Sequence, residues 1–140
     1  MRGLTAVRAL ALAIACTACS SGEGPPPSFL AEPFSTTTTS SGALRIELRT
    51  SPQPPVRGVG AAQFVVTRVA DGTPVDGLTV SVQPWMPAMN HGAIRPTISS
   101  QGDGKYLVTE LDLYMPGHWQ LRTDLSGPLT DHVEPDFDIQ

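Results

Sequence analysis

Glycine and proline interrupt this chain so often that long helices have no room to form. The 140 residues include 13 Gly and 14 Pro, and both disfavour helix interiors. Between these breaks the apolar residues alternate. Leu44, Ile46 and Leu48 interleave with Arg45, Glu47 and Arg49, and Leu78, Val80 and Val82 with Thr79, Ser81 and Gln83. Trp119, Leu121 and Thr123 interleave with Gln120, Arg122 and Asp124. Period 2 is the pattern of a half-buried strand. Further β-rich runs cover Gln63–Val69 and Tyr106–Leu113, and Val133, Phe137 and Ile139 mark a last one. Ile94–Ser99 reads as an edge strand because Pro96 has no amide donor. Asp71-Gly72, Asp76-Gly77, Gly102-Asp103-Gly104 and Pro116-Gly117 supply the turns. About seven short strands with regular turn signals predict an all-β domain. Its expected form is an immunoglobulin-like antiparallel β-sandwich, with a small open barrel as the alternative.

The formal charge is −4, and it becomes −6 if Arg2 and Arg8 are removed with a leader. No basic stripe exists, which argues against nucleic-acid binding. Asp131, Glu134, Asp136 and Asp138 gather near the C-terminus and read as a solvated edge or a frayed tail.

Residues 1–19, MRGLTAVRALALAIACTAC, combine a basic start, a short apolar stretch and small residues before each cysteine. This is the pattern of a secretory signal, too short to span a bilayer stably. A signal ending at Cys resembles the bacterial lipobox, which implies lipidation of that cysteine. Ala13-Ile14-Ala15-Cys16 fits the permitted residue types best. Cys19 is followed by Ser-Ser-Gly, as lipidated cysteines often are. One of the two is the expected anchor, and an ordinary cleaved signal is the plainer alternative. Residues 20–42 are rich in Pro, Ser, Thr and Gly and read as a flexible tether without secondary structure, reaching ~25–30 Å. Phe29, Leu30 and Phe34 are its apolar exceptions, which either dock on the domain or, as the plainer reading, stay idle. Residues 43–140 are left for the domain, enough for one core. The expected location is the cell envelope, facing the periplasm or exterior.

Both cysteines, Cys16 and Cys19, lie in the leader region, so the domain has no thiol. Soft-metal chemistry would then fall to methionine and histidine. Two stretches concentrate them. Gln83-Pro84-Trp85-Met86-Pro87-Ala88-Met89-Asn90-His91-Gly92 reads as an ordered loop, and Tyr114-Met115-Pro116-Gly117-His118-Trp119 lies between two later strands. Thioether sulfur and imidazole nitrogen suit Cu(I). Met86, Met89, His91, Met115 and His118 are the candidate ligands, provided the two stretches share one end of the sandwich. The plainer reading makes Met86 and Met115 gap-fillers and has His91 and His118 hydrogen-bonding loop carbonyls. Trp85 and Trp119 read as core or core-edge anchors, and His132 as a surface residue.

These residues resemble the YtkA-like domain family, which is related to FixH-like proteins. The resemblance rests on Trp85-Met86-Pro87-Ala88-Met89-Asn90-His91-Gly92, Pro96, Gly104-Lys105-Tyr106 and Met115-Pro116-Gly117-His118-Trp119-Gln120-Leu121. It covers roughly residues 43–125, with Trp85, Pro87, Gly92, Tyr106, Gly117 and Trp119 as motif positions. It implies a β-sandwich outside the cytoplasmic membrane, often lipid-anchored. FixH-like relatives are associated with oxidase assembly and copper transport, which implies a copper connection. This chain has a lipoprotein-type leader where FixH-like proteins have a membrane helix.

Catalytic motifs are missing. The chain has no G-x-S-x-G elbow, H-E-x-x-H pair or P-loop, so no enzyme activity is expected. Two functions remain. One is an envelope lipoprotein that binds or delivers Cu(I) through its Met/His loops. The other is a non-catalytic module that docks on an envelope protein partner in oxidase assembly or metal efflux without binding metal.

Overall fold

The computed structural model describes residues 24–140. The expected leader, with Cys16 and Cys19, lies outside the described residues. The chain forms two antiparallel sheets, as the alternation predicts. The first sheet contains β1 (Ser35–Thr38), β2 (Leu44–Ser51), β3 (Gly58–Arg68), β6 (Thr97–Gly102) and β7 (Lys105–Leu113). Its strand order is β1-β2-β3-β7-β6. The second sheet contains β4 (Thr79–Met86), β5 (His91–Gly92), β8 (Gly117–Ser126), β9 (Asp131–Val133) and β10 (Asp136–Ile139). Its order is β10-β8-β4-β5, with β9 also paired to β8. The two sheets do not close into the alternative open barrel.

The inner faces follow from parity. Along β2, Leu44, Ile46 and Leu48 are buried, and along β8, Trp119, Leu121, Thr123 and Leu125 are buried. Side chains alternate across a strand, so Gln120 and Arg122 point the other way. Phe64, Val66, Tyr106 and Val108 complete the centre of the core. Tyr106 also carries a polar tie. Its hydroxyl donates to the Val75 carbonyl at 2.8 Å and accepts from the Leu78 amide at 3.2 Å. It thereby fixes the β3–β4 connection against β7. Gly104, in the preceding turn, has φ +69°, and a Cβ there would collide with the Val66 carbonyl. That carbonyl cannot move, because Val66 is held in β3 and its oxygen accepts from the Val75 amide.

Three expectations change. Strand structure begins before residue 42, inside the stretch expected to lack it. Ser35–Thr38 pairs with Arg45–Leu48 as an edge strand, and Phe34 packs edge-on against Phe137 with ring centroids 6.0 Å apart. The Thr-rich run looks like low complexity, but its β-branched residues suit an open sheet edge. Of the two readings of the acidic C-terminal run, the solvated edge holds and the frayed tail does not, since β10 is an edge strand with Asp136 and Asp138 exposed. Asp131, Val133, Pro135, Phe137 and Ile139 all point inward. β9 and β10 pair with β8 in one continuous register, and the Pro135 carbonyl accepts from Leu121 between them. Third, β4 runs on through Pro84 to Met86, where a loop was expected. The Pro84 carbonyl faces β5 and accepts from Ala93. In an antiparallel ladder a residue's N and O share one side. The missing N–H therefore falls on the side of the two-residue β5, where little pairing is lost.

Asp131 shows how β9 is tied to the β1–β2 connection. The residue is only 8% exposed. It accepts from Ser41 Oγ at 2.5 Å, the Ser41 amide at 3.1 Å and the His132 amide at 3.0 Å. Burial pushes its pKa up, but hydrogen bonds from Ser41, Thr39 and the two amides outweigh burial and hold it down to about 2. A depressed carboxyl stabilises the fold above its unfolded value of 3.8, and that contribution fades as pH falls toward 2. Denaturant melts should show Asp131→Asn less stable than the natural chain at pH 6, with the gap closing below pH ~4. A gap independent of pH contradicts this account. Tyr106→Phe should lose about 1–2 kcal/mol in the same assay, because it strands a buried carbonyl and an amide. A loss below ~0.3 kcal/mol would remove the tie from the account.

Candidate functional site

The two methionine- and histidine-bearing stretches meet at one end of the sandwich. β4 and β5 are joined by a 3₁₀ turn, Pro87–Met89, in which Asn90 takes the left-handed conformation at φ 51° and donates to the Pro87 carbonyl. β7 and β8 are joined by Tyr114, Met115 and Pro116, which cross from the first sheet to the second. The two connections touch. The His91 and Tyr114 rings stack, 6.2 Å apart and 13° from parallel, with Tyr114 Oη 3.1 Å from His91 Nδ1. Tyr114 then meets Trp119 edge-on at 5.7 Å. The Trp119 indole N–H donates to the Met115 carbonyl at 2.9 Å. On Gly117 (φ +127°), a Cβ would lie 2.9 Å from the Met86 methyl.

Parity sorts the five candidate ligands. Met86 is 3% exposed and faces inward. His91 is its cross-strand partner, so both occupy the same face. Met115 is half-buried against the core, and Met89 is 52% exposed at the end of the 3₁₀ turn. These four gather at one end. His118 does not join them. Its neighbour Trp119 is fully buried, so His118 points to the outer face of the second sheet. There Nδ1 lies 3.0 Å from Asp138 and Nε2 3.4 Å from Asp136. Both ring nitrogens are engaged, so His118 is set apart from the other four candidates.

Trp85 is also relocated. It lies on the outer face, partly covered by the Arg122 guanidinium 4.5 Å from its ring centroid. Met86, one residue on, takes the core position instead. The outer face continues with His132, which bridges Asp124 at 2.7 Å and Glu134 at 3.0 Å. Hydrogen bonding to Asp124, then to Glu134, raises its pKa. Sequence reasoning missed Tyr114 as a partner of His91, because that contact needs two distant connections to meet.

A family model described as YtkA-like matches residues 38–124. The chain belongs to the YtkA-like family. Searches of curated proteins and of solved structures found no match. The matched range contains both connections of the candidate site and ends inside β8, so β9 and β10 extend the YtkA-like match by completing the second sheet.

Among the described residues, no group of three or more His, Cys, Asp or Glu is placed to hold a metal ion. A metal site in this YtkA-like domain would therefore draw on thioethers. Three thioethers and one imidazole form a donor set of the kind Cu(I) prefers. Geometry at this end depends on Gly92. A Cβ there would lie 2.6 Å from the Pro84 carbonyl oxygen, a backbone atom that cannot swing away. Gly92→Ala should push β5 off β4 and cost about 1–3 kcal/mol. Loss of the His91–Tyr114 ring contact in NMR spectra would check it, and an unchanged contact would show that β5 does not depend on Gly92.

Proposed function

We propose that this YtkA-like protein is a lipid-anchored envelope module without catalytic activity that holds Cu(I) at the methionine and histidine end. The observation that carries the reading is the orientation of His91. Stacking against Tyr114 fixes the imidazole plane, and Tyr114 Oη engages Nδ1. In the tautomer where Nδ1–H donates to Tyr114, Nε2 presents its lone pair. Binding the far nitrogen of an imidazole ligand in this way is the usual means of orienting it. Met86, Met89 and Met115 stand at the same end with neutral sulfur. Outside the cytoplasm thioethers persist where free thiols oxidise, although they form sulfoxides. When bound, Cu(I) would be carried without redox work by the protein. Met89, the exposed thioether, is the natural point of entry, and Met86 and Met115 are the more buried pair.

The acidic outer face has a different character. His118 and His132 are each enclosed by carboxylates, an arrangement that supports solubility and sheet pairing. The docking function, in which the same end contacts an envelope protein without metal, is the outcome if copper binding fails.

Competition with a chromophoric Cu(I) chelator tests the proposal. The natural chain should withdraw Cu(I) from the chelator, and replacement of Met86, Met89 and Met115 together by Leu should abolish this. His91→Ala should weaken binding by at least about tenfold, since losing even an outer-shell partner of a ligand has that effect. His118→Ala should leave it unchanged. Equal competition by the natural chain and the triple variant would sink the copper reading.

A further inference from the structure

Exposed apolar side chains are distributed unevenly over the molecule. Val56, Val59, Met89, Ile94 and Tyr114 are all at the methionine and histidine end, 54%, 72%, 52%, 88% and 37% exposed. Physical contacts link them. Arg57 Nε donates to the Tyr114 carbonyl at 2.9 Å, joining the β2–β3 connection to the β7–β8 connection. Val59, Ile94 and Arg95 line one open groove with Glu110 and Asp112. Ile94 is almost fully exposed among the described residues. Contiguous exposed apolar surface on a small domain marks a contact site.

The chain's own entry point indicates what covers it. β1 runs antiparallel to β2 with Ser35 opposite Leu48, so the segment before β1 enters at this same end. Gln53 Nε2 donates to the Glu32 carbonyl at 3.0 Å and fixes the entry beside the β2–β3 connection. Glu32 is 13 residues on from Cys19 and 16 on from Cys16. Even fully extended, that length spans only about 45–55 Å. A lipid on either cysteine therefore ties the domain to the bilayer by this end, at no more than that distance.

Charge favours the same orientation. Arg57 and Arg95 flank the apolar side chains, and they offset Glu110 and Asp112. Asp124, Glu134, Asp136 and Asp138 crowd the outer face of the other sheet. An anionic lipid surface repels that acidic face and leaves the near-neutral apolar corner to approach. Tyr114 carries a polar hydroxyl on an apolar ring, the type of side chain that settles at membrane interfaces.

We infer that the apolar corner formed by Val56, Val59, Ile94 and Tyr114 rests on the lipid surface, so that the sandwich stands end-on beside its anchor. This inference rests on the lipid-anchored reading above. It places Met89 and His91 at the bilayer side of the molecule.

Single-cysteine accessibility in the full acylated chain tests it. Val59→Cys, Ile94→Cys and Val69→Cys are each inserted into vesicles of phosphatidylethanolamine and phosphatidylglycerol. Cys19→Ser is added where Cys16 carries the lipid. A charged, membrane-impermeant maleimide then reports reaction rates. Val69 lies at the opposite end and is only 50% exposed, so free solution favours positions 59 and 94. Docking reverses that order. Positions 59 and 94 should react about tenfold more slowly than position 69, the effect of shielding for roughly nine-tenths of the time. Rates that follow exposure would overturn the docking inference. Slowing that disappears at a tenfold lower protein-to-lipid ratio would assign the corner to a second copy of the chain and overturn it too. Intact mass is measured on the same samples. A chain without acyl mass overturns both the anchor and the docking. An acylated chain whose rates follow exposure overturns the docking alone.

Discussion

The indole N–H of Trp119 donates to the Met115 carbonyl, and much of this end of the molecule follows from that bond. Trp119 is fully buried, so its nitrogen needs a partner inside. The Met115 carbonyl supplies one, which folds the short β7–β8 connection back over the core. Tyr114 is thereby held edge-on to Trp119 and face-on to His91. The same burial fixes the phase of β8. With Trp119 inward, Leu121, Thr123 and Leu125 follow it inward and His118 is turned outward. One buried ring therefore sets the core packing, the shape of a connection and the separation of two histidines.

Strand parity explains which residues can cooperate. Residues that adjoin in sequence lie on opposite sides of a sheet. Met86 and Trp85 are separated in this way, as are Trp119 and His118. Met86 and His91 are five residues apart but are cross-strand partners, and share a face. The result is a molecule with two chemically distinct regions. One end collects thioethers, an imidazole and exposed apolar side chains. The outer face of the second sheet collects carboxylates around His118 and His132, with Arg122 lying across Trp85. Thioethers, in a domain without thiols, give the first region its soft-donor character.

Much of the fold was legible in the sequence. Alternation in Leu44–Arg49, Leu78–Gln83 and Trp119–Asp124 marked strands that the structure contains, and the glycine turns fell where the chain reverses. β1 was hidden because a run of threonines resembles a linker, and its pairing depends on an open edge that the sequence does not display. Pro84 concealed the end of β4. A proline inside a strand signals an edge or a break, yet its missing donor here falls on the short β5 side. Continuing the Val80-Val82 alternation through Pro84 would have put Met86 inward and Trp85 outward. The family resemblance was carried by the same motif residues that the match covers. The four-residue grouping was only half legible: the residue types were visible, but the meeting of the two connections depends on how the sheets are joined, and the exclusion of His118 depends on the phase set by Trp119.

We propose that Met86, Met89, Met115 and His91 act as one soft-donor group from which His118 is excluded. Silver(I), a soft d¹⁰ stand-in for Cu(I) without redox chemistry, can be titrated into methyl-labelled protein and followed by NMR. The account predicts that the Met86, Met89 and Met115 methyl resonances shift together with the His91 ring, saturating at one equivalent, while the His118 ring stays in place. Movement of the His118 resonances in step with the methionines, or methionine methyls that do not respond at all, would contradict it.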